Sequence, residues 1–393
     1  MRRSVIFGLT ASAIGLLVGF GLMEGALRVY AATSDTFGTG IRQFDPMAVQ
    51  IEPHGTLGYR QRPNATFHYA NGMVAHSNSL GYRGPEVAVQ PAPGTIRIIL
   101  LGGSTTHGFG VRDNETIDAY MREIFRTKHP GIPVEVVNLA FDGYDTYQML
   151  QRLQSDGLRL HPTVVVLNEG INDVRNAQFP HLEDADARTL LWESDLARLR
   201  AEERSGPTLW TSIKHYSYMA RAPGYVRDQL AQRRASQARR VQSDRVAASM
   251  VRKGTDTLPH DPPYQDAAAF FERHMARMTE ISLKQGAAVL LSTPPSALRT
   301  YATTATSSRT YWIINAWVTQ AYRDTLAERL RALTSTERAQ GHAVGYVAPV
   351  VPTPLYLDDC HLKPEGNRLV AATFVDQIDA LLGARQVASQ QHQ

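Results

Sequence analysis

From residue 95 onward, short apolar runs alternate with longer stretches of mixed apolar and polar residues. Each run has the length of a strand that is buried on both faces, and each intervening stretch is long enough for a helix. The apolar runs are 96–101, 133–138, 163–168, 287–292 and a weaker run at 342–347. The intervening helical stretches are 117–127, 146–158, 266–284, 312–333 and 364–382. This alternation predicts a parallel sheet that helices cover on both faces.

The segment before this alternation, residues 29–93, is rich in Gly, Pro, Asn and aromatic residues. Within it, Leu57–Arg60 and Asn78–Gly84 resemble turns between short strands. We expect residues 29–93 to form a lead-in segment that packs on the main domain, which then covers residues 94–393.

The N-terminus has the pattern of a membrane anchor. Arg2 and Arg3 precede residues 4–23, which contain no charged side chain. About 20 apolar residues are enough to span the core of a bilayer. Because no clear cleavage site follows, we predict an uncleaved transmembrane anchor in residues 1–28, and a cleaved signal peptide is the alternative. The two arginines would stay in the cytoplasm, which places the rest of the chain outside it.

Residues from about 176 to 262 interrupt the alternation between the third and fourth predicted strands. They carry no strand signal, and we interpret them as a helical insertion with a basic stretch at 221–253. A solvated helix face is the commoner explanation of such a stretch, and attraction to an anionic membrane surface or glycan is the alternative.

The composition adds few constraints. Hydrophobic residues make up 43% of the chain and charged residues 20%, which is typical of a protein with a buried core. The net charge of +4 is too small to indicate a nucleic-acid-binding protein, and an external location also argues against that class. Cys360 is the single cysteine, so the chain has no intramolecular disulfide.

Four polar segments lie where predicted strands end. In open α/β sheets, ligands bind beyond the carboxyl ends of the strands, so these segments are expected to converge on one site. The segments are Gly102–Gly108, Asn138–Asp145, Asn168–Asp173 and Asp358–His361.

Each segment offers a group that acyl-transfer chemistry uses. Ser104 lies in a glycine-rich turn directly after a strand, where it would be exposed as a nucleophile with its own N–H facing a developing oxyanion. Gly143 brings its backbone N–H close to a substrate. Asn172 has an amide that donates to an oxyanion without changing charge, and Asp173 can brace its loop. Taken singly, each segment is also an ordinary turn.

The fourth segment pairs a histidine with a carboxylate. Asp358 stands three residues before His361, so it can accept a hydrogen bond from the imidazole Nδ1–H and leave Nε2 free to take a serine proton. Asp359 is the alternative partner. Pro364 suggests that a helix begins directly afterwards and holds His361 at the edge of the sheet.

Together, the order and placement of these segments resemble the SGNH/GDSL hydrolase superfamily, over roughly residues 95–175 and 264–382. Gly-Ile-Asn-Asp and Asp-Asp-Cys-His are the most specific parts. The superfamily's leading Gly-Asp-Ser-Leu is Gly-Gly-Ser-Thr in this chain, a form similar to that of membrane-anchored bacterial members. The resemblance implies a three-layer α/β/α, flavodoxin-like fold with a central parallel sheet.

The resemblance also implies a role for each site residue. Ser104 would be the nucleophile, His361 the base and then the acid, and Asp358 its partner. The N–H groups of Ser104 and Gly143 and the side chain of Asn172 would form the oxyanion hole. We therefore expect a serine esterase that works through an acyl-enzyme, outside the cytoplasm.

The substrate and the direction of acyl transfer stay open. O-acyl groups of cell-surface carbohydrate are the expected substrate, with lipid esters second. The first alternative is an O-acetyltransferase of an exported polysaccharide, which would need a separate acyl-supplying membrane protein as its partner. The second is a non-catalytic glycan-binding or assembly protein.

Other residues near these segments are expected to have no catalytic or metal-binding role. His107 is expected to line its loop rather than act as the base. The side chain of Cys360 is expected to point away from that of His361, as neighbours do on an extended segment. Because the spacing of the nearby carboxylates matches no metal motif, we predict no metal and no cofactor. Those carboxylates are Asp142, Asp145, Glu169 and Asp173.

Overall fold

The computed structural model describes residues 2–34, 37–38, 41, 51–69, 72–176, 199, 208–227, 229–230, 262–297 and 316–391. The strands in these residues are β1 (Ile51–His54), β2 (Gly58–Gln61), β3 (Thr66–His68), β4 (Val74–His76), β5 (Ile96–Gly102), β6 (Val134–Asn138), β7 (Val164–Asn168), β8 (Ala288–Ser292) and β9 (Val344–Val347). The helices are α1 (Arg2–Thr33), α2 (Ser104–His107), α3 (Ile117–Lys128), α4 (Thr146–Arg152), α5 (Ile171–Asn176), α6 (Leu209–Tyr216), α7 (Pro262–Lys284), α8 (Ala316–Ala339) and α9 (Pro364–Gln391).

The main domain is organised by a parallel five-stranded sheet in the order β6-β5-β7-β8-β9. Numbered by their appearance in the chain, these strands have the order 2-1-3-4-5, which is that of flavodoxin-like doubly wound folds. The chain leaves β5 toward one edge of the sheet and then returns to the other side of β5 through β7. The predicted fold class is therefore confirmed. In such folds, ligands bind beyond the carboxyl ends of the strands, at the point where the strand order reverses.

Helices cover both faces of this sheet, and the strand residues alternate between them. Ile98 and Leu100 face a core that contains residues of α3 and α9. Ile99 and Leu101 face a second core that contains residues of α4, α7 and α8. Side chains of a strand point to opposite faces in turn, so a strand covered on both faces is apolar at every position. The apolar runs in the sequence therefore correspond to the five strands of this sheet.

The predicted helix at 146–158 is shorter in the structure. Helix α4 ends at Arg152, and a π-helical turn at Leu153–Gly157 and a 3-10 turn at Leu158–Leu160 follow. A Cβ atom on Gly157 would lie 2.9 Å from the Leu153 side chain, so glycine permits this tight turn. The predicted start of α8 at residue 312 lies outside the described residues.

The lead-in segment forms two antiparallel hairpins, β1–β2 and β3–β4. The Tyr59 hydroxyl donates to the carbonyl of Asp142 at 2.8 Å, and the Tyr144 hydroxyl donates to the carbonyl of Tyr59 at 3.0 Å. The fully buried guanidinium of Arg83 donates to the carbonyls of His107 at 3.0 Å and of Gly108. The lead-in segment thus contacts two of the loops that carry predicted site residues.

Helix α1 is long and apolar enough over Ile6–Thr33 to cross a membrane, and none of its apolar window is buried against the rest of the protein. Length and composition are the grounds for this assignment, and an N-terminal signal sequence meets them equally. The helix continues past residue 28, where the predicted anchor ends.

The predicted insertion is only partly described. Residues 208–227 include α6 and a second helical segment at 218–227, whereas most of the basic stretch at 221–253 lies outside the described residues. The boundaries of the insertion and of the main domain therefore stay predictions.

The core between the sheet and α9 yields a test of packing. Phe374 of α9 is fully buried there, so Phe374→Ala removes a ring that the surrounding side chains cannot replace. We expect the free energy of unfolding to fall by about 3–5 kcal/mol. Urea unfolding of the full-length protein in detergent measures it. Leu369→Ala, on the same helix but 43% exposed, is the control and should change stability little. Equal losses in the two variants would contradict the assigned packing.

Candidate active site

Three loops meet at Gly103, the residue between β5 and α2. A Cβ atom at this position would lie 2.3 Å from Nδ2 of Asn172, 2.6 Å from Oε2 of Glu169 and 3.1 Å from the carbonyl oxygen of Tyr144. These neighbours come from the loops that follow β7 and β6. Glycine is therefore required at position 103, because any side chain would push apart the loops that hold the predicted site residues.

Ser104 is the first residue of α2 and is half-buried. The first N–H groups of a helix have no acceptor within the helix, so the N–H of Ser104 is available to a group outside α2. The preceding Gly102 approaches Thr106 so closely that a Cβ atom would lie 2.2 Å from its hydroxyl. The two glycines thus allow the chain to turn from a buried strand directly into a helix that begins with the serine.

His361 lies between Ser104 and Asp358. Its Nε2 atom is 2.7 Å from Oγ of Ser104, and its Nδ1 atom is 2.7 Å from Oδ2 of Asp358. The three side chains therefore form a continuous hydrogen-bonded chain. The serine and the histidine are separated by 257 positions in the sequence, and the sheet brings them together.

The loop that carries His361 is held in a compact bend. Oδ1 of Asp358 accepts hydrogen bonds from the backbone N–H groups of Cys360 at 3.0 Å and of His361 at 2.8 Å. The carbonyl of Asp359 accepts from the N–H of Ala297, in the segment after β8, at 2.9 Å. The ring of Phe109 packs against the imidazole with 4.4 Å between centroids. One carboxylate therefore shapes the backbone with one oxygen and orients the histidine with the other.

The electrostatic environment favours a charged histidine beside a charged carboxylate. Burial lowers the pKa of His361, but the hydrogen bond to Asp358 and the negative charge of that carboxylate act in the opposite direction and raise it above 6.5. Burial raises the pKa of Asp358, but the hydrogen bond to His361, its positive charge and two backbone N–H groups lower it to about 2. Asp358 is accordingly ionised at neutral pH.

The expectation that the side chains of Cys360 and His361 point apart is wrong. The sulfur of Cys360 lies 3.8 Å from Nδ1 of His361. The alternation of side chains applies to extended backbone, whereas this segment bends around the Asp358 carboxylate. Burial raises the pKa of Cys360, which favours the neutral thiol. Among the described residues, Asp358, Cys360 and His361 have potential metal-ligand atoms within 4.8 Å of one another, and the absence of a metal stays a prediction.

The predicted oxyanion-hole residues lie beside the serine. Nδ2 of Asn172 donates to the carbonyl of Tyr144 at 2.9 Å, which ties the loop after β7 to the loop after β6. Gly143, directly before Tyr144, has φ of +82°, a left-handed conformation that favours glycine. Since Nδ2 of Asn172 also approaches Gly103, the structure brings Ser104, Gly143 and Asn172 into one region.

Glu169 was missed as a site-supporting residue by the sequence analysis. One oxygen of its buried carboxylate accepts from the N–H of Gly103 at 2.7 Å. The other accepts from the N–H groups of Gly170 at 3.0 Å and of Ile171 and Asn172 at 2.8 Å each. Burial raises the pKa of Glu169, and the four N–H donors oppose that rise. The sequence feature that could have indicated this role is the position of Glu169, between a buried strand and the Gly-Ile-Asn-Asp segment.

Asp173 braces the neighbouring turn, in line with its interpretation from the sequence. Its carboxylate accepts from the Thr146 hydroxyl at 2.5 Å and from the Thr146 N–H. Burial raises its pKa well above 3.8, and the nearby carboxylates of Asp145 and Glu169 raise it further. His107 is fully buried, and its Nδ1 atom lies 2.9 Å from Oδ1 of Asp142. The histidine whose ring nitrogen lies within hydrogen-bond distance of the Ser104 hydroxyl is His361.

A groove of about 1100 Å³ lies elsewhere, between the lead-in segment and α3. Its lining includes His76, Gly84, Arg122, Arg126 and Pro133, and it contains none of the predicted site residues. We therefore place the candidate site at the carboxyl ends of the strands and not in this groove.

Comparisons with known proteins agree with the interpretation of the sequence. The family model described as GDSL-like Lipase/Acylhydrolase matches residues 100–369, which is more than half of the chain. Comparison with curated proteins finds no match.

Several solved structures are similar to this chain, at low sequence identity and low TM-score. A putative acylhydrolase from Bacteroides fragilis has 13% identity and a TM-score of 0.38, with 74% of this chain and 91% of that chain covered. A GDSL-like lipase from Bacteroides thetaiotaomicron has 16% identity and a TM-score of 0.37, with 75% and 92% covered. A catalytic mutant of an acetylxylan esterase from Geobacillus stearothermophilus has 13% identity and a TM-score of 0.37, with 72% and 94% covered.

Because three loops meet at Gly103, the structure predicts that adding a single methyl group at this position lowers the stability of the protein. Gly103→Ala places a Cβ atom against Asn172 and Glu169, so we expect a loss of about 1–3 kcal/mol in the free energy of unfolding. The control is Gly383→Ala in α9, where a Cβ atom meets nothing within 4 Å. Because alanine favours helix over glycine, this control should gain roughly 0.5–1 kcal/mol. Urea unfolding measures both, and a Gly103→Ala protein as stable as the wild type would refute the close approach.

Proposed function

The chain belongs to the GDSL-like lipase/acylhydrolase family, and from this premise we propose that it is an extracytoplasmic serine esterase in which Ser104, His361 and Asp358 form the catalytic triad. Hydrolysis of ester bonds is the activity of the family. The particular residues, the location and the substrate are our proposal, and the observation that carries it is the hydrogen-bonded chain from Ser104 through His361 to Asp358.

The first step forms an acyl-enzyme. Nε2 of neutral His361 takes the proton from the Ser104 hydroxyl while Oγ attacks the ester carbonyl, and the carbonyl π electrons move to its oxygen. When the tetrahedral intermediate collapses, the bond to the alcohol oxygen breaks and the protonated imidazole gives its proton to that oxygen. Asp358 stays ionised throughout and stabilises the imidazolium.

The second step returns the serine. Water loses a proton to Nε2 of His361 as it attacks the acyl carbon, and the Ser104 oxygen leaves and takes that proton back. The products are a carboxylic acid, the alcohol and the unchanged enzyme. The same residues would pass the acyl group to a sugar hydroxyl if that hydroxyl took the place of water.

The oxyanion hole is assigned to the N–H groups of Ser104 and Gly143 and to the Asn172 amide. Asn172 uses one of its two amide hydrogens on the carbonyl of Tyr144, which fixes the amide plane beside Gly103. The second hydrogen is assigned to the oxyanion. A donor that is already fixed in place need not reorganise when charge develops, and this is the main source of its effect on rate.

We propose O-acyl groups of cell-surface carbohydrate as the substrate, with α1 as the anchor that holds the site outside the cytoplasm. Two observations support this. Helix α1 has the length and composition of a membrane span. The triad also lies near the surface, since Asp358 is exposed and Ser104 and His361 are half-buried, so a polymer can reach it without entering a deep pocket.

The assignment of Ser104 is tested by esterase activity. We expect the purified full-length protein in detergent to hydrolyse a short-chain aryl acetate and the Ser104→Ala protein to lose this activity. Asn172→Ala should lower turnover roughly 10²–10³-fold, since it removes one oxyanion donor. Full activity in either variant would overturn its assigned role. Activity in neither the wild type nor the variants would instead favour acyl transfer from a partner protein.

The pH dependence of kcat/KM tests His361 and its partner. The rate should rise with pH through the pKa of His361, because only the neutral imidazole takes the serine proton. Since that pKa is raised, the acid limb should lie above pH 6.5. Asp358→Asn removes the carboxylate that raises it, so the limb should move to lower pH while the rate falls, by up to about 10⁴-fold in comparable triads.

Asp359→Asn is the matched control for this profile. It leaves the hydrogen bond between Asp358 and His361 in place, so its acid limb should stay close to that of the wild type. A shift in the Asp359 variant with none in the Asp358 variant would make Asp359 the partner of the histidine.

A further inference from the structure

Helix α6 has its apolar side on the outside of the protein. Its partly buried positions are polar: Thr211, Lys214 and His215. Its large apolar residues follow helical spacing along the opposite side and have exposed fractions of 79% at Leu209, 54% at Trp210, 39% at Ile213 and 73% at Tyr216. A surface helix of a globular protein has the reverse arrangement, with the apolar side inward. The exposed side of α6 is therefore suited to an apolar environment and not to water.

The chain directly after α6 is fixed to α1 through Glu24. The Glu24 carboxylate accepts from the Ser217 hydroxyl at 2.9 Å and from the N–H groups of Tyr218 at 2.9 Å and Met219 at 3.0 Å. Tyr218 and Met219 begin the helical segment 218–227, whose first N–H groups need acceptors. A side chain of α1 thus caps a helix that is almost 200 positions away in the sequence.

The last carbonyls of α6 are also held in place, by two arginines. Nη2 of Arg28, on α1, donates to the carbonyl of Tyr216 at 2.6 Å. Arg221 donates to the carbonyls of Lys214 at 2.5 Å and of His215. These contacts satisfy acceptors that the end of a helix leaves unpaired. The C-terminal end of α6 is therefore joined to α1 by Arg28 and to the segment 218–227 by Arg221.

The attachment lies at a defined height along α1. Residues 4–23 carry no charge, and Glu24 is the first charged residue after them. A run of about 20 apolar residues fills the bilayer core, so Glu24 would stand where α1 leaves it. Because the C-terminal end of α6 is bound at Glu24 and Arg28, the exposed apolar side of α6 is next to the exit of α1. The apolar side chains of α1 are themselves exposed.

We propose that α6 lies in the lipid–water interface beside the exit of α1, with Leu209, Trp210, Ile213 and Tyr216 in contact with lipid. The proposal rests on α1 spanning the bilayer, as proposed above. Trp and Tyr are enriched at this depth because their rings are apolar and their polar atoms reach water. Helices of this kind sit with their apolar side about 5–10 Å into the boundary between headgroups and acyl chains.

The test places one tryptophan reporter on α6 of the full-length protein. The chain has four tryptophans, and Trp192→Phe, Trp312→Phe and Trp317→Phe leave Trp210 alone. The protein is reconstituted in phosphatidylcholine bilayers that contain lipids brominated either near the headgroup or deep in the acyl chain. The matched control replaces Trp210 by phenylalanine as well and introduces Val350→Trp, at a position that is 89% exposed on another part of the surface.

We expect bromine near the headgroup to quench Trp210 more than bromine deep in the acyl chain, and to quench it more than the reporter at position 350. Iodide in the water should quench in the opposite order. Quenching of Trp210 by lipid bromine no greater than that of the control would overturn the proposal. If Trp210 were shielded from both bromine and iodide, protein would cover α6, which would also overturn the proposal.

Two further measurements separate this proposal from those it rests on. Resistance of the protein to extraction from the bilayer by alkaline carbonate reports on α1. Esterase activity of the same sample reports on Ser104. An active, membrane-integral protein whose Trp210 is quenched only by iodide would refute the interfacial position of α6 while leaving the anchor and the esterase intact.

Discussion

One buried carboxylate holds the candidate site together. Glu169 accepts hydrogen bonds from the backbone N–H of Gly103 with one oxygen and from three successive N–H groups of its own loop with the other. Burying a carboxylate is costly unless hydrogen bonds replace its hydration, and here four backbone donors do so. The same contacts join the loop that carries the serine to the loop that carries Asn172. Neither loop could move away without leaving the carboxylate buried and underbonded, so the positions of Ser104 and Asn172 depend on Glu169.

The carboxylates near the site are of two kinds, buried ones that fix the backbone and an exposed one that contacts the histidine. Glu169 and Asp173 are buried and fix backbone, and burial raises the pKa of each. Asp358 is exposed at its loop, and its contact with His361 lowers its pKa to about 2. Carboxylates of the first kind maintain shape, whereas one of the second kind stabilises a charge that appears and disappears during a reaction. On α1, Glu24 has a similar structural role, because it joins this helix to the chain after α6.

The sequence predicted the features that local pattern determines. The five strands of the sheet could be located because a strand covered on both faces must be apolar throughout, and the candidate residues lay where those strands end. The contacts of Glu169 and Arg83 could not be predicted, because each joins segments whose proximity is set by the sheet and not by spacing. The side-chain directions of Cys360 and His361 were predicted wrongly because a carboxylate two to three residues away bends their backbone. The inverted polarity of α6 becomes visible only from the side chains that the fold leaves exposed.

The buried Arg83 links the lead-in segment to the loop after α2, and Tyr59 links it to the loop after β6. The family model begins at residue 100, so both residues fall outside the part of the chain that it recognises. Two loops of the part that the family model recognises therefore receive hydrogen bonds from groups that precede it. Removing the chain before residue 100 would leave the carbonyls of His107, Gly108 and Asp142 without these donors, so a stable fragment should need to include the lead-in segment.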